Sequence, residues 1–316
     1  MDDLDTECAR IREAVRPVLG DAADRAAIEP AFAVLASPGW HGVDGVHWRV
    51  RSDGKALHVK VMHADAARYV DIACALRAAE HAAAAGLGPA VLATDPDSGI
   101  SVMADLSATH RCGTLDRIDP LPVQDAIIAA RKAFHAGPRL GRPTDAFAEV
   151  VRFANQARAA GASLPSDIAW MEASIAEAGR AIAACDRDLV PAQGDGNATN
   201  VLIGGDGSVR LVDWDRAGDM DPFEDLATFM GEVAIQEPEA RELFVRWHGA
   251  WDAGLFGRAM LYVAADDLRW GLIAATLAAT SPRTSLEFLK YANWRFLRCR
   301  MQVRDPRFAE RVRSVR

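Results

Sequence analysis

The residues best suited to do chemistry lie in one stretch. Asn200 follows Asp195 by five positions, and Asp213 comes after a further apolar segment. Two carboxylates and an amide are oxygen ligands of the kind a hard cation such as Mg2+ takes, with water and phosphate oxygens completing its octahedron. Phosphoryl transfer uses such a set. One Asp accepts the proton of the attacking hydroxyl, and an Asn five residues on and a later Asp hold the metal. A lone D-x-x-x-x-N arises by chance, so its weight depends on what lies between Asn200 and Asp213.

Residues 201–203 and 209–212 are β-prone and flank Gly204-Gly205-Asp206-Gly207-Ser208. Asp-Gly favours a two-residue hairpin turn, because both central positions need positive φ. With the turn centred on Asp206-Gly207, Asn200 faces Asp213 across the open end of the hairpin; a bulge shifts this by one residue. The preceding loop brings Asp195 into the same neighbourhood.

The rest of the chain supplies the frame. Residues 31–36 form a short apolar run. Residues 46–51 and 56–62 flank Ser52-Asp53-Gly54-Lys55 as a hairpin. Residues 65–85 hold no Gly or Pro and predict a helix stopped at Gly86. Strands are expected over 90–93 and 100–104. Beyond Leu106 helices dominate, over 123–136, 145–160, 167–184 and from 238 onward, with 201–213 as a β island. The simplest partition is an α+β, bilobal chain. A β-rich N-terminal lobe (1–106) joins a mainly helical C-terminal lobe (107–316), and binding sites favour such junctions.

Composition narrows the class. The chain has 316 residues, half of them hydrophobic, and a net charge of −8. Such a chain buries a real core and is poorly suited to non-specific nucleic-acid binding, which needs clustered Lys and Arg. Its five cysteines form no C-x-x-C pair, so neither zinc spacing nor a disulfide framework is expected. The acidic, helix-like N-terminus is unlike a signal peptide. The longest apolar stretch, near 271–280, is about half a membrane span. A cytoplasmic protein without membrane or nucleic-acid partners is expected, as monomer or homodimer.

Gln193-Gly194-Asp195 with Asn200, Val212-Asp213-Trp214-Asp215, and Asp221-Pro222-Phe223-Glu224-Asp225-Leu226-Ala227 together resemble the signature of the aminoglycoside phosphotransferase and choline kinase superfamily. These are small-molecule kinases with the protein-kinase-like fold. The resemblance implies Asp195 as catalytic base, Asn200 and Asp213 as metal ligands, and Asp225 as a brace for the catalytic loop. It also implies ATP and Mg2+ as cofactors. Gln193 stands where the family usually has His. In the N-terminal lobe the family frame makes Lys60 the phosphate-binding lysine. Glu80 is its expected helix partner, with Asp71 as runner-up. The loop 37–45 would cover the phosphates, with Gly39 and Gly42 in contact. Met103, Ala104, Asp105 and Leu106 would form the hinge beside adenine.

Only Trp214 to Met220 separate Asp213 from Asp221-Pro222, too few for a peptide-docking platform, so a small alcohol or amine is the expected acceptor. Asp215, Glu224, Trp251, Asp267, Trp270 and Trp294 are its candidate contacts, since aromatic faces attract cations. The run 265–272 resembles choline and ethanolamine kinase-like proteins in particular. The basic tail from Arg295 onward fits a polycationic antibiotic less well. An antibiotic phosphotransferase and a kinase-fold protein that binds without turnover remain the alternatives.

Overall fold

The protein is described by a computed structural model covering residues 2–37, 39–234 and 236–315. Helix α1 (Asp2–Leu19) precedes strands β1 (Ala27–Pro30), β2 (Gly45–Ser52) and β3 (Lys55–Met62), helix α2 (Ile72–Ala84), and strands β4 (Val91–Asp95) and β5 (Ile100–Ala104). Then come β6 (His110–Cys112), α3 (Leu115–Ile118), α4 (Leu121–His135), α5 (Ala146–Ala159) and α6 (Ile168–Ala183). Four short strands follow: β7 (Val190–Ala192), β8 (Val201–Gly204), β9 (Val209–Leu211) and β10 (Gly218–Met220). The chain ends in α7 (Pro222–Val233), α8 (Glu237–His248), α9 (Ala253–Thr280), α10 (Phe288–Arg304) and α11 (Pro306–Ser314).

The first five strands form one antiparallel sheet in the order β1-β2-β3-β5-β4. The β2–β3 hairpin turns at Asp53 and Gly54, with φ of 50° and 77°, the double positive φ that a tight turn requires. Side chains alternate across the sheet. Trp48, Val50, Leu57, Val59, Ile100 and Val102 pack against Ile11 and Val15 of α1. The opposite face carries His47, His58 and Lys60, and there Lys60 pairs with His47 and Ser101 in register. So the pattern that buries one face presents Lys60 on the other.

Two expectations differ in detail. The first strand lies at Ala27–Pro30, while residues 31–36 contribute only a bridge between Leu35 and His41. The helix expected over 65–85 is broken. A 3-10 turn covers Ala64–Arg68, and α2 begins at Ile72 with Asp71 as its cap, accepting the Cys74 N–H at 3.0 Å. Asp competes for backbone N–H groups and so favours a helix start over a helix interior.

The C-terminal part is built around α9, most of whose residues are buried. No helix among the described residues is long and apolar enough to cross a membrane. All five cysteines are free thiols.

The β8–β9 hairpin holds a correction. Val201 pairs with Leu211 and Ile203 with Val209, one residue out from the expected register. The loop is not a two-residue turn. Gly207 N–H donates to Gly204 O at 3.0 Å, Gly204 N–H donates to Ser208 O at 2.8 Å, and Gly207 has φ 81°. This is a three-residue loop with a glycine in the left-handed position. Asn200 therefore lies opposite Val212, whose N–H donates to the Asn200 carbonyl at 3.0 Å.

Candidate active site

Asp195 sits in a loop held from below. Asp225, in the first turn of α7, accepts the Gly194 N–H at 2.8 Å and the Arg131 Nη1 at 2.7 Å, and His135 Nε2 lies 2.9 Å from its other oxygen. Arg131 Nη2 also donates to the Asp195 carbonyl at 2.5 Å. Burial alone would raise the Asp225 carboxyl, but Arg131 and His135 hold it below the usual carboxylate range. Gly194 has φ 70°, and a Cβ there would lie 2.7 Å from the Arg216 carbonyl, so only glycine fits this turn. The Asp195 side chain accepts the Asn197 N–H at 2.8 Å. Burial, then the charge of Asp213, pushes its carboxyl up to about 7.

Asp213 follows β9 with φ 61°. This re-aims its side chain, which the shifted register alone would have turned to the other face. Asp213 and Asn200 both line a cavity of about 330 Å³, together with Gly42, Lys60, Met103, Ala104, Asp105 and Leu106. Eight of the expected nucleotide and metal residues thus share one cleft. His41, His47, His58 and Phe32 form another part of its wall.

Lys60 does not meet Glu80. Its Nζ lies 2.7 Å from Asp213 Oδ1 and 2.7 Å from Asp215 Oδ2. Burial would lower the ammonium pKa, but Asp213, Asp215 and Asp44 hold it above its ordinary value. Glu80 is exposed and accepts a hydrogen bond from Thr94 on β4 at 3.1 Å. The cause is topological: β5 lies between β3 and β4, so Glu80 reaches the wrong strand. Asp71, the runner-up, caps α2. Sequence reasoning missed Asp44, which is buried and accepts from Trp40 Nε1 at 2.9 Å and from the Tyr69 hydroxyl. Ligand oxygens of Asp44, Asp213 and Asp215 lie within 4.8 Å of one another.

A second, smaller cavity of about 50 Å³ adjoins Asp195. Gly39, Trp40, Glu232, Asp266, Trp270, Tyr291, Trp294, Arg295 and Arg298 line it. Trp270 and Trp294 are here as expected, but Gly39 faces this cavity and not the nucleotide side. Pro38 of the same loop lies outside the described residues. The other acceptor candidates are elsewhere. Glu224 is buried against Arg269 at 3.1 Å, and Asp267 is buried against Arg295 and Arg298 at 3.0 Å each. Trp251 is exposed and packs on Phe244 and Phe256 under Arg241. Asp215 is tied to Lys60. Glu232 and Trp40 carry no motif that would single them out. The basic tail divides: Arg295 and Arg298 line the cavity, whereas Arg300 pairs with Asp167 and Arg307 with Asp305.

The Phosphotransferase enzyme family profile matches residues 36–261. The chain belongs to this family. The matched span takes in Lys60, Asp195, Asn200, Asp213 and Asp225, so these side chains stand within a phosphotransferase. No curated protein is detectably similar in sequence. Among solved structures, a choline/ethanolamine kinase family protein from Mesorhizobium loti superposes with a TM-score of 0.78 at 23% identity, covering 98% of this chain and 99% of that one. Choline kinase LicA from Streptococcus pneumoniae gives 0.75 at 15% identity over 93% and 98%. Spectinomycin phosphotransferase APH(9)-Ia, solved with ADP and spectinomycin, gives 0.52 at 15% identity over 85% and 88%. The phosphotransferase fold is thus the bilobal, protein-kinase-like one, with a β-rich N-terminal part and a helical C-terminal part.

Proposed function

We propose that this phosphotransferase moves the terminal phosphoryl group of ATP to the hydroxyl of a small amino alcohol of the choline or ethanolamine kind. The observation that carries this reading is the cavity beside Asp195. Trp40, Trp270, Tyr291 and Trp294 offer aromatic faces and Glu232 offers negative charge, surroundings that stabilise an ammonium headgroup. The space is small, and Arg295 and Arg298 in its wall oppose a polycationic antibiotic. The higher superposition with choline and ethanolamine kinase structures than with the spectinomycin enzyme favours the same choice.

Asp195 orients the acceptor hydroxyl. As the new oxygen–phosphorus bond forms and the bond to the bridging oxygen of ADP breaks, the hydroxyl proton passes to the Asp195 carboxylate. Lys60 binds the nucleotide phosphates, and Met103 to Leu106 pack against the base. The all-oxygen donors Asn200 and Asp213 at the cleft floor fit Mg2+; when bound, it neutralises charge on the transferring phosphoryl. Most of the rate then comes from positioning and preorganised charge.

The test is ATP consumption, with Mg2+, across choline, ethanolamine, related amino alcohols and aminoglycosides. Turnover on an amino alcohol supports the reading. Turnover confined to an antibiotic moves the assignment to the alternative acceptor, and nucleotide binding with no turnover on any acceptor favours a binding protein.

A further inference from the structure

We infer that Asp215 and Asp44, and not an acid of helix α2, are the residues that position Lys60 once a metal–nucleotide complex fills the cleft; this rests on the kinase reading above. Lys60 Nζ is shared at 2.7 Å by Asp213 and Asp215. Asp213 is also, with Asn200, the residue assigned above to the divalent ion. Lys60 engages only Asp213 Oδ1, and an ammonium and a dication repel, so a divalent ion on Asp213 weakens its hold on Lys60. With a metal on Asp213, Lys60 then leans more on the other of its two close partners.

Two other carboxylates stay in place. Asp215 is buried, and its Oδ2 keeps its 2.7 Å contact to Lys60. Asp44 brings a third carboxylate within 4.8 Å of the other two. It is held there by the Trp40 indole and the Tyr69 hydroxyl, so its orientation does not depend on Lys60. A buried ammonium left without partners is costly; Asp215 keeps it paired, and the charge of Asp44 adds to the field that holds it. Glu80 is engaged by Thr94 and exposed, and Asp71 caps α2. The arrangement also joins the two cavities. Trp40, which fixes Asp44, packs on Trp270 and Tyr291 with centroids 5.3 and 4.8 Å away and lines the acceptor cavity.

The experiment is calorimetric titration with a non-hydrolysable ATP analogue, once with excess Mg2+ and once in chelator, on wild type, Asp215→Asn, Asp44→Asn and Glu80→Gln. With Mg2+, D215N is expected to weaken binding by about tenfold, the loss of one charge-assisted hydrogen bond. D44N shifts the same way by a smaller factor, and E80Q leaves affinity unchanged. In chelator, where Asp213 still holds Lys60, all three bind as wild type does. Equal losses with and without Mg2+ assign Asp215 a merely structural role and overturn the inference, as does a loss in E80Q that matches D215N. If D215N does not fold, the same pair of titrations on D44N decides. Failure of wild type to bind the analogue with Mg2+ overturns the kinase reading itself and is distinct from either outcome.

Discussion

Gln193 Nε2 donates to the Val212 carbonyl at 2.6 Å. One amide thus ties the entry to the Asp195 loop to the residue just before Asp213. Gln193→Ala removes this tie and leaves the Val212 carbonyl without that partner. We expect it to lower stability by about 1 kcal/mol and to reduce kcat more than the nucleotide KM. Gln193→His, whose ring can donate to the same oxygen, should retain most of the activity. Thermal melts with steady-state kinetics check both.

Asp195→Asn should cost between about a hundredfold and ten-thousandfold in kcat, the usual worth of a general base, with nucleotide affinity nearly kept. Its effect on stability runs the other way. The native carboxyl titrates near 7 against an ordinary 3.8, so below about pH 4 both states carry the proton. As pH rises toward 7 the unfolded chain ionises first and stability is lost. The variant should therefore melt higher than wild type at neutral pH, with the difference vanishing near pH 4. A melting series from pH 4 to 8 reads this. Equal melting temperatures at neutral pH would remove the case for a strained carboxylate.

Asp225→Asn leaves Arg131 without its buried countercharge. A loss of about 3–5 kcal/mol is expected, seen in urea unfolding. Because the native Asp225 carboxyl is held below its ordinary value, its contribution is present above about pH 4. It fades as pH falls toward the depressed value, so wild type and variant should converge in acid.

Glu232→Gln and Trp270→Ala should each raise the acceptor KM by roughly tenfold while leaving the nucleotide KM within twofold. Trp251→Ala, on the outer surface, should change neither. A KM panel on the preferred amino alcohol separates them.

Much of the frame was legible from the residues. The β2–β3 hairpin announced itself through alternation and a tight turn, and Asp145 marks a helix start as a capping Asp does; α7, capped by Asp221, was not among the expected helices. The β8–β9 register was not legible. Gly204-Gly205-Asp206-Gly207-Ser208 admits both a two-residue and a three-residue loop, and the Asp206 side chain, by accepting the Ser208 N–H at 2.9 Å, favours the longer one. Nor was the partner of Lys60, because strand order and not sequence spacing decides which acid it meets. Asp266 and Asp267 were equally acidic and adjacent. The helical turn of about 100° per residue sends one to the cavity and the other into the packed interior.

Asp266 has a double duty. It lines the proposed acceptor cavity and also receives Arg269 at 2.7 Å and Arg295 at 2.5 Å, while Arg269 in turn holds Glu149 and Glu224. Natural drift in what the enzyme accepts is therefore constrained at this position, where any neutral replacement takes one carboxylate from each of two buried guanidinium groups. It stays open at Trp294, which stands half in solvent at the rim. New preferences should evolve from the edge of the cavity inward.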